Sequence, residues 1–143
     1  MYVTIHAGLT DHLLHSLPYL SQFGHGLENG LTQEQHLSRL MELCRSTTTM
    51  LLETSSKVHA GASLSVVEDW HFPGKTLIVN TLAGNPGIKG MKYFLLALRK
   101  YAYQNGCSLY AIPSRVSQYE YRLKYYPAIS SIKERGQRDG VYQ

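Results

Sequence analysis

The sequence predicts one α/β domain, residues 1–143, in which a mixed, mostly antiparallel sheet is flanked by helices. Short β-branched or alternating segments separated by tight turns predict antiparallel strands. Segments with apolar residues three and four positions apart predict amphipathic helices. A strand–helix–strand unit over residues 76–112 predicts one parallel pair of strands within the same sheet. A chain of 143 residues has the size of one such domain.

The first third of the chain predicts one strand and two helices. Residues 2–6 alternate as a strand does, and Thr10 is a helix N-cap before a run of leucines. Pro18 falls inside that run, so we expect a kink or two short helical pieces. A glycine-rich loop follows at residues 24–30. Thr32, three residues before a glutamine, opens the second helix with a capping box.

The middle of the chain predicts three strands and then a long helix. The strands cover residues 47–54, 59–69 and 76–82, and the last is apolar enough for burial on both faces. A glycine-rich loop at residues 84–90 leads into a helix that begins near Met91 and stops at an Asn-Gly pair.

The last third predicts a strand, a short helix and a final strand. Residues 108–112 form the strand, which Pro113 ends. Ser117 opens a short helix to about Tyr125, again with a capping box. Residues 128–132 are the final predicted strand, before a polar tail.

Composition excludes several classes of protein. Hydrophobic residues make up 43% and charged residues 17%, which excludes a disordered chain. No apolar run reaches the roughly 20 residues that span a bilayer, and no secretory signal is evident, so we expect a cytoplasmic protein without membrane contact. Cys44 and Cys107 are interpreted as reduced, packed thiols, although the sequence leaves a disulfide open. The net charge of +4 favours anionic ligands only mildly.

The segment TLIVNTLAGNPGIKGMKYFLLALRKYAYQNGCSLYAI resembles the core unit of the GNAT (Gcn5-related N-acetyltransferase) family. In that family a strand leads into a loop of the form Q/R-x-x-G-x-G/A, which opens a helix. The segment QYEYRLKYYP resembles the family's Y-E-K-L-G-F helix end. The resemblance covers roughly residues 47–132. It implies a GNAT fold, acetyl-CoA as cofactor, and direct attack of a substrate amine on the thioester.

The resemblance also implies a set of cofactor-binding positions. Amides near Leu82 and Gly84 would orient the cofactor, and the loop amides would hold its pyrophosphate at the helix N-terminus. Gly90 matches the family's middle glycine, whereas Gly87 replaces Gln or Arg and Lys92 replaces a small residue. Lys92 could block the approach of a phosphate or pair with it, and we favour obstruction. The implied positions are Leu82, Gly84, Gly87, Lys89, Gly90, Met91 and Lys92.

Two catalytic positions follow from the same resemblance. Tyr121 stands where the family has a general acid that protonates the departing thiolate. A general base often lies on the strand before the phosphate loop, but residues 76–82 contain no carboxylate. Glu68 and Asp69 lie one strand earlier, and either could serve as the base only if it points into the cleft; of the two we assign Glu68.

A narrower resemblance is to GNAT-like proteins of tailed bacteriophages, carried by Gly84, Gly106, Cys107 and Arg115. It implies a non-catalytic structural or interaction protein, a pseudoenzyme in the bacterial host or associated with the virion. We predict this function from the eroded motifs, with an acetyl-CoA-dependent N-acetyltransferase as the alternative.

The distribution of tyrosines predicts a surface through which such a protein would bind a partner. Nine of the eleven tyrosines lie from Tyr93 onward, which predicts a protein partner or a homo-oligomer through the C-terminal half. The cluster of Tyr119, Tyr121, Tyr125 and Tyr126 either fills the cleft or forms that interface.

Two further patterns have a plainer interpretation than a binding site. His12 and His15 have metal-ligand spacing on a predicted helix, but no third ligand is evident, so we predict two polar positions and no metal. The basic helix face with Lys89 and Lys92 could contact nucleic acid. We favour a solvated face and do not expect nucleic-acid binding.

Overall fold

The computed structural model describes residues 1–128, apart from the side chain of His25. The elements in chain order are β1 (Tyr2–Ala7), α1 (Asp11–Leu20), α2 (His25–Glu28), α3 (Gln33–Arg45), β2 (Thr48–Glu53), β3 (Val58–Glu68), β4 (Lys75–Gly84), α4 (Gly87–Gln104), β5 (Cys107–Ser117) and β6 (Glu120–Pro127). The strands form one sheet in the order β1 to β6. Among residues 1–128 only β4 and β5 pair in parallel, so the predicted mixed, mostly antiparallel sheet is confirmed.

Helices pack on both faces of the sheet because side chains of a strand alternate between its faces. Along β2, Leu51 belongs to the cluster of α1 and α3, whereas Met50 and Leu52 belong to the cluster of α4. Phe94 and Leu98 of α4 are fully buried in their cluster. The sheet therefore lies between two helical layers, and both hydrophobic clusters hold it in place.

The first two helices begin as predicted. The Thr10 side chain accepts from the Leu13 amide, and the Thr32–Gln35 capping box is fully formed. We expected a kink or two short pieces at Pro18, and the second alternative is wrong, because α1 is one helix to Leu20. Proline removes only one amide so near the helix end, and Ser21 N–H still bonds to the Leu17 carbonyl at 2.7 Å.

The predicted loop at residues 24–30 contains the short helix α2. Helix α4 also starts earlier than predicted, at Gly87, so part of the expected phosphate loop is the first turn of that helix.

Strands β4 and β5 separate part-way along their length. Their pairing ends at Ile78 and Ala111, although β4 continues to Gly84 and β5 to Ser117. Ser63 pairs with Thr81 and Leu64 with Val79, so Asn80 is the extra residue of a bulge. A bulge bends and twists its strand, and this one directly follows the last β4–β5 pair. The separation opens a cleft at the C-terminal end of β4.

The predicted stop at Pro113 is wrong, because β5 runs through it. At that position β5 pairs with β6 alone, since its pairing with β4 has already ended. Proline has no backbone N–H to donate to a neighbouring strand. Among the described residues β5 has no neighbouring strand on its β4 side at Pro113, so no such hydrogen bond is needed there. The same divergence that opens the cleft therefore makes the proline acceptable.

The short helix predicted from Ser117 is also wrong. Glu120–Pro127 is strand β6, which forms an antiparallel hairpin with β5. Tyr121, Leu123 and Tyr125 alternate with Arg122 and Lys124, a period of two that belongs to a strand and outweighs a capping-box spacing. Of the strand predicted at residues 128–132, all but Ala128 lies outside the described residues.

Two smaller predictions concern the thiols and the membrane. Cys44 and Cys107 are free and buried, and burial raises the pKa of both thiols. Within residues 1–128 no helix combines the length and apolar character needed to cross a bilayer.

Candidate functional site

A cleft of about 390 Å³ occupies the gap between β4 and β5. Its floor is β4, one wall comes from the α2 region and α3, and the other wall is the β5–β6 hairpin. The lining residues are Phe23, Gly24, Gly26, His36, Leu40, Asn80, Thr81, Leu82, Ala83, Pro113, Arg115 and Tyr121. Of the four clustered tyrosines, only Tyr121 lines this cleft. The cluster therefore leaves the gap between the strands open.

The floor of the cleft offers backbone hydrogen-bonding groups. From residue 79 to residue 84, β4 is paired with β3 on one edge only. An extended strand directs backbone N–H and C=O groups to both edges, so this stretch has no strand partner on its cleft side among the described residues. Such an edge binds an extended amide-containing molecule as a further strand would.

Helix α4 begins beside the end of this floor. Its N-cap, Pro86, supplies no side-chain hydrogen bond, and its first turn contains no acidic residue. The first-turn amides and the positive end of the helix dipole therefore remain available to an anion. Ile88 is 80% exposed and Lys89 is exposed, whereas the Met1 side chain lies near Gly90 on the buried side of this turn.

The glycines near this end have conformational and steric roles. Gly84 has φ +116°, and a Cβ there would lie 2.3 Å from the His59 carbonyl oxygen, so close contact with β3 requires glycine. A Cβ on Gly90 would lie 2.8 Å from the Pro86 Cβ, so that glycine lets the helix pack on its own cap. Gly87 has φ +74° and open space around it.

Lys92 is exposed and lines a shallow groove between α4 and β5. Leu95, Leu96, Arg99 and Tyr110 line the same groove, which has a volume of about 320 Å³. The lysine does not line the cleft, and its expected obstruction of a phosphate stays a prediction. It adds positive charge beside the start of α4.

Tyr121 reaches the cleft from a strand and not from the predicted helix. It pairs with Arg115 across the β5–β6 hairpin. Arg115 in turn forms an ion pair with Glu28 and donates to the Asn29 side chain at 3.2 Å. These contacts tie the hairpin to the loop after α2 and close one side of the cleft.

His36 is a lining residue that the sequence did not indicate. Its Nε2 lies 2.8 Å from the Phe23 carbonyl oxygen, which can only accept, so Nε2 carries a hydrogen. In neutral imidazole the lone pair is then on Nδ1, which makes this nitrogen a proton acceptor. The capping box at Thr32 placed His36 in the first helical turn, but only the tertiary fold brings that turn to β4.

Glu68 lies at the other end of the sheet from the cleft. It pairs with Lys75 at the start of β4, whereas the cleft begins near the Ser63–Thr81 pair. Five residues of strand separate Glu68 from Ser63, a distance of roughly 17 Å. The exposed carboxylate of Glu68 is therefore outside the cleft, and this position does not support its expected role as the base.

Asp69 and Tyr125 form a separate polar contact at the same far end. Tyr125 donates to Asp69 at 2.6 Å, and His71 contacts the same carboxylate at 2.9 Å. The hydrogen bond from Tyr125, with those from His71, lowers the pKa of Asp69 to about 2. The same hydrogen bond to Asp69 raises the pKa of Tyr125. Phe72 packs on the Tyr125 ring at 4.7 Å, so Tyr125 stabilises the β3–β4 turn.

Comparison with solved structures shows the fold. A probable acetyltransferase superposes with a TM-score of 0.62 at 14% identity, covering 82% of each chain. A GNAT family acetyltransferase from Staphylococcus aureus gives 0.61 at 10% identity, covering 84% of this chain and 92% of the other. An aminoglycoside N-acetyltransferase in complex with CoA gives 0.57 at 14% identity, covering 80% and 78%.

No family model matches the sequence, and no curated protein is similar to it in sequence. At identities this low the structural similarity defines the fold alone, and that fold is the GNAT acetyltransferase fold.

Proposed function

We propose that this chain binds acetyl-CoA and transfers the acetyl group to an amine. The observation that carries the proposal is the open cleft where β4 leaves β5. Its floor exposes one edge of a strand, and the unprotected N-terminus of α4 lies at the end of that floor. The exposed strand edge matches the two amides of a pantetheine arm. The N-terminus of α4 matches a pyrophosphate.

The positions implied by the family resemblance fit this arrangement in part. Leu82 and Gly84 lie on the exposed edge of β4, and Lys89 to Met91 are in the first turn of α4. Lys92 faces the adjoining groove and would pair with phosphate oxygens. Acetyl-CoA supplies the acetyl group as a thioester, and the cleft supplies orientation and proton transfer.

His36 and Tyr121 are the cleft residues that suit proton transfer. His36 Nδ1 would accept the proton that the amine loses as its nitrogen bonds to the acetyl carbon. Tyr121 would donate its hydroxyl proton to the sulfur as the carbon–sulfur bond breaks. The two side chains line the same cleft from opposite walls.

The acceptor is expected to be a neutral amine. No Asp or Glu is present among the described residues that line the cleft, and the charge of the lining Arg115 is paired with Glu28. A polycation such as an aminoglycoside would meet no carboxylate among these lining residues. A panel of acceptors should therefore favour small neutral amines over aminoglycosides.

The test is a transfer assay that follows release of the CoA thiol across that panel. Tyr121→Phe and His36→Gln should each lower kcat by about 100-fold, because each removes one proton-transfer group. Tyr119→Phe is the matched control, since Tyr119 is 89% exposed and does not line the cleft. Full activity in both cleft variants would contradict the assigned roles.

A second candidate is the non-catalytic, phage-type structural or interaction protein. The absence of a carboxylate among the described cleft residues favours it, because a carboxylate is the usual base of the fold family. Exposed aromatic side chains would then contact a protein partner or a second copy, with Trp70 100% and Tyr119 89% exposed. Cofactor binding without transfer to any acceptor would support this candidate over the enzyme.

A further inference from the structure

Three potential metal ligands from three elements meet beside the edge of the sheet, away from the cleft. They are His6 of β1, His12 of α1 and Glu53 of β2, and one ligand atom from each lies within 4.8 Å of the others. The HxxH spacing had suggested His15 as the partner of His12. Instead, His15 Nδ1 bonds to the Asp11 carbonyl at 2.7 Å.

The carboxylate of Glu53 is buried without a permanent positive charge beside it. The residue is 4% exposed, and its hydrogen-bond and ion-pair partners in residues 1–128 are Thr4 and His12. A histidine provides a positive charge only when protonated, and a buried carboxylate without a countercharge is costly. A divalent cation would provide that charge at any pH at which its ligands are deprotonated.

The surrounding hydroxyl groups match the second layer of a metal site. His6 Nδ1 lies 2.7 Å from Thr10 Oγ1, and His6 Nε2 lies 2.9 Å from Thr4 Oγ1. A ring that exchanged the Thr4 contact for a metal at Nε2 could donate its Nδ1–H to Thr10. Thr4 donates to Glu53 Oε2, which leaves Oε1 for the metal. The contact of His6 with Thr10 and that of Glu53 with Thr4 orient both buried ligands, and a metal would replace the contact between Thr4 and His6 Nε2.

Besides the exchange at His6 Nε2, the geometry requires a movement of His12, the exposed ligand. A tetrahedral zinc ion with bonds near 2.1 Å places its ligand atoms about 3.4 Å apart. His12 Nε2 already lies 2.8 Å from Glu53 Oε1, and its side chain is 53% exposed. The His6 and His12 rings are stacked at 5.1 Å and 18°, so His12 must tilt to share an ion with His6.

We propose that His6, His12 and Glu53 bind one divalent transition-metal ion of the zinc class. Two imidazoles and a carboxylate are a ligand set that zinc accepts, with water at the fourth position on the exposed His12 side. The ion would connect β1, the first turn of α1 and the end of β2. Its role would be structural, because the site lies apart from the acetyl-transfer cleft.

The experiment uses the full chain without an affinity tag, stripped with a chelator and titrated with zinc chloride by calorimetry. Wild-type protein should bind one equivalent and should melt at a higher temperature with zinc than without it. Substitution with cobalt(II) should give the visible absorption of a tetrahedral site. His12→Ala and Glu53→Gln should each weaken binding by about tenfold or more.

His15→Ala is the matched control, because His15 is exposed on the same helix but contacts only a backbone carbonyl. It should leave zinc affinity unchanged. Circular dichroism would confirm that each variant is folded, and His12 is exposed enough for its removal to be tolerated. No saturable binding at about 100 µM zinc, or binding that survives both ligand variants, would overturn the proposal. Absence of binding would mean that the three residues form only a hydrogen-bonded network. Binding that survives both variants would mean that other histidines hold the zinc.

Discussion

Replacing Gly84 with alanine tests the close contact between β3 and β4 at the end of the cleft floor. The residue has φ +116°, a conformation that side chains rarely adopt and that costs about 1–3 kcal/mol. The new Cβ would also lie 2.3 Å from the His59 carbonyl oxygen and 2.6 Å from the Ala60 Cα. Both atoms are backbone, so the strands must separate, at a further cost of about 1–3 kcal/mol.

Gly30→Ala is the matched control for Gly84→Ala. Gly30 has φ +106°, and no atom lies within 4 Å of its added Cβ, so it experiences the conformational cost without the clash. Chemical denaturation of wild type and both variants should therefore show Gly84→Ala to be less stable than Gly30→Ala by about 1–3 kcal/mol. Equal free energies of unfolding would refute the close contact and return Gly84 to a purely cofactor-related role.

Three other outcomes follow from the packing and the titrating groups. Phe94→Ala should lower the free energy of unfolding by about 3–5 kcal/mol in urea, whereas Leu96→Ala should change it little, because Phe94 is fully buried and Leu96 is 60% exposed. The lowered pKa of Asp69 stabilises the fold above its unfolded value of 3.8, and this contribution is lost as the pH falls through about 2. The melting temperatures of wild type and Asp69→Asn should thus differ at neutral pH and converge below pH 2; a constant difference would contradict the hydrogen bond from Tyr125. Both cysteines should react slowly with a thiol reagent at neutral pH until the protein unfolds, since burial raises their pKa.

Local signals predicted most of the sheet and helices. The capping box at Thr32 and the N-cap at Thr10 were confirmed, because both depend on residues within one helical turn. The mixed sheet followed from short turns between strands and one strand–helix–strand unit. These features are encoded by neighbours in sequence, so sequence periodicity detects them.

The misjudged elements depend on distant contacts. Pro113 is tolerated within β5 because β4 has already diverged, and only the tertiary structure shows that divergence. Ser117 and Glu120 have a capping-box spacing, residues 120–127 have a strand period, and the hairpin partner β5 decides between the two. The competing signals at Ser117 could not be ranked without that partner.

The candidate sites show the same limit. The family resemblance indicated the start of α4 and Tyr121, but it assigned Tyr121 to a helix that is a strand. His36 and the cluster of His6, His12 and Glu53 are formed by residues far apart in the chain. Seven histidines without a shared local motif gave no signal of which two would meet a buried carboxylate.

Calorimetric titration of the purified protein with acetyl-CoA tests the central claim most directly. An open strand edge beside an uncapped helix N-terminus predicts saturable binding of one equivalent in the micromolar range, about −8 kcal/mol at 1 µM. Leu82→Pro would remove a backbone donor from the cleft floor and should weaken that binding. Absence of heat at millimolar acetyl-CoA would contradict the claim that this cleft is a cofactor site.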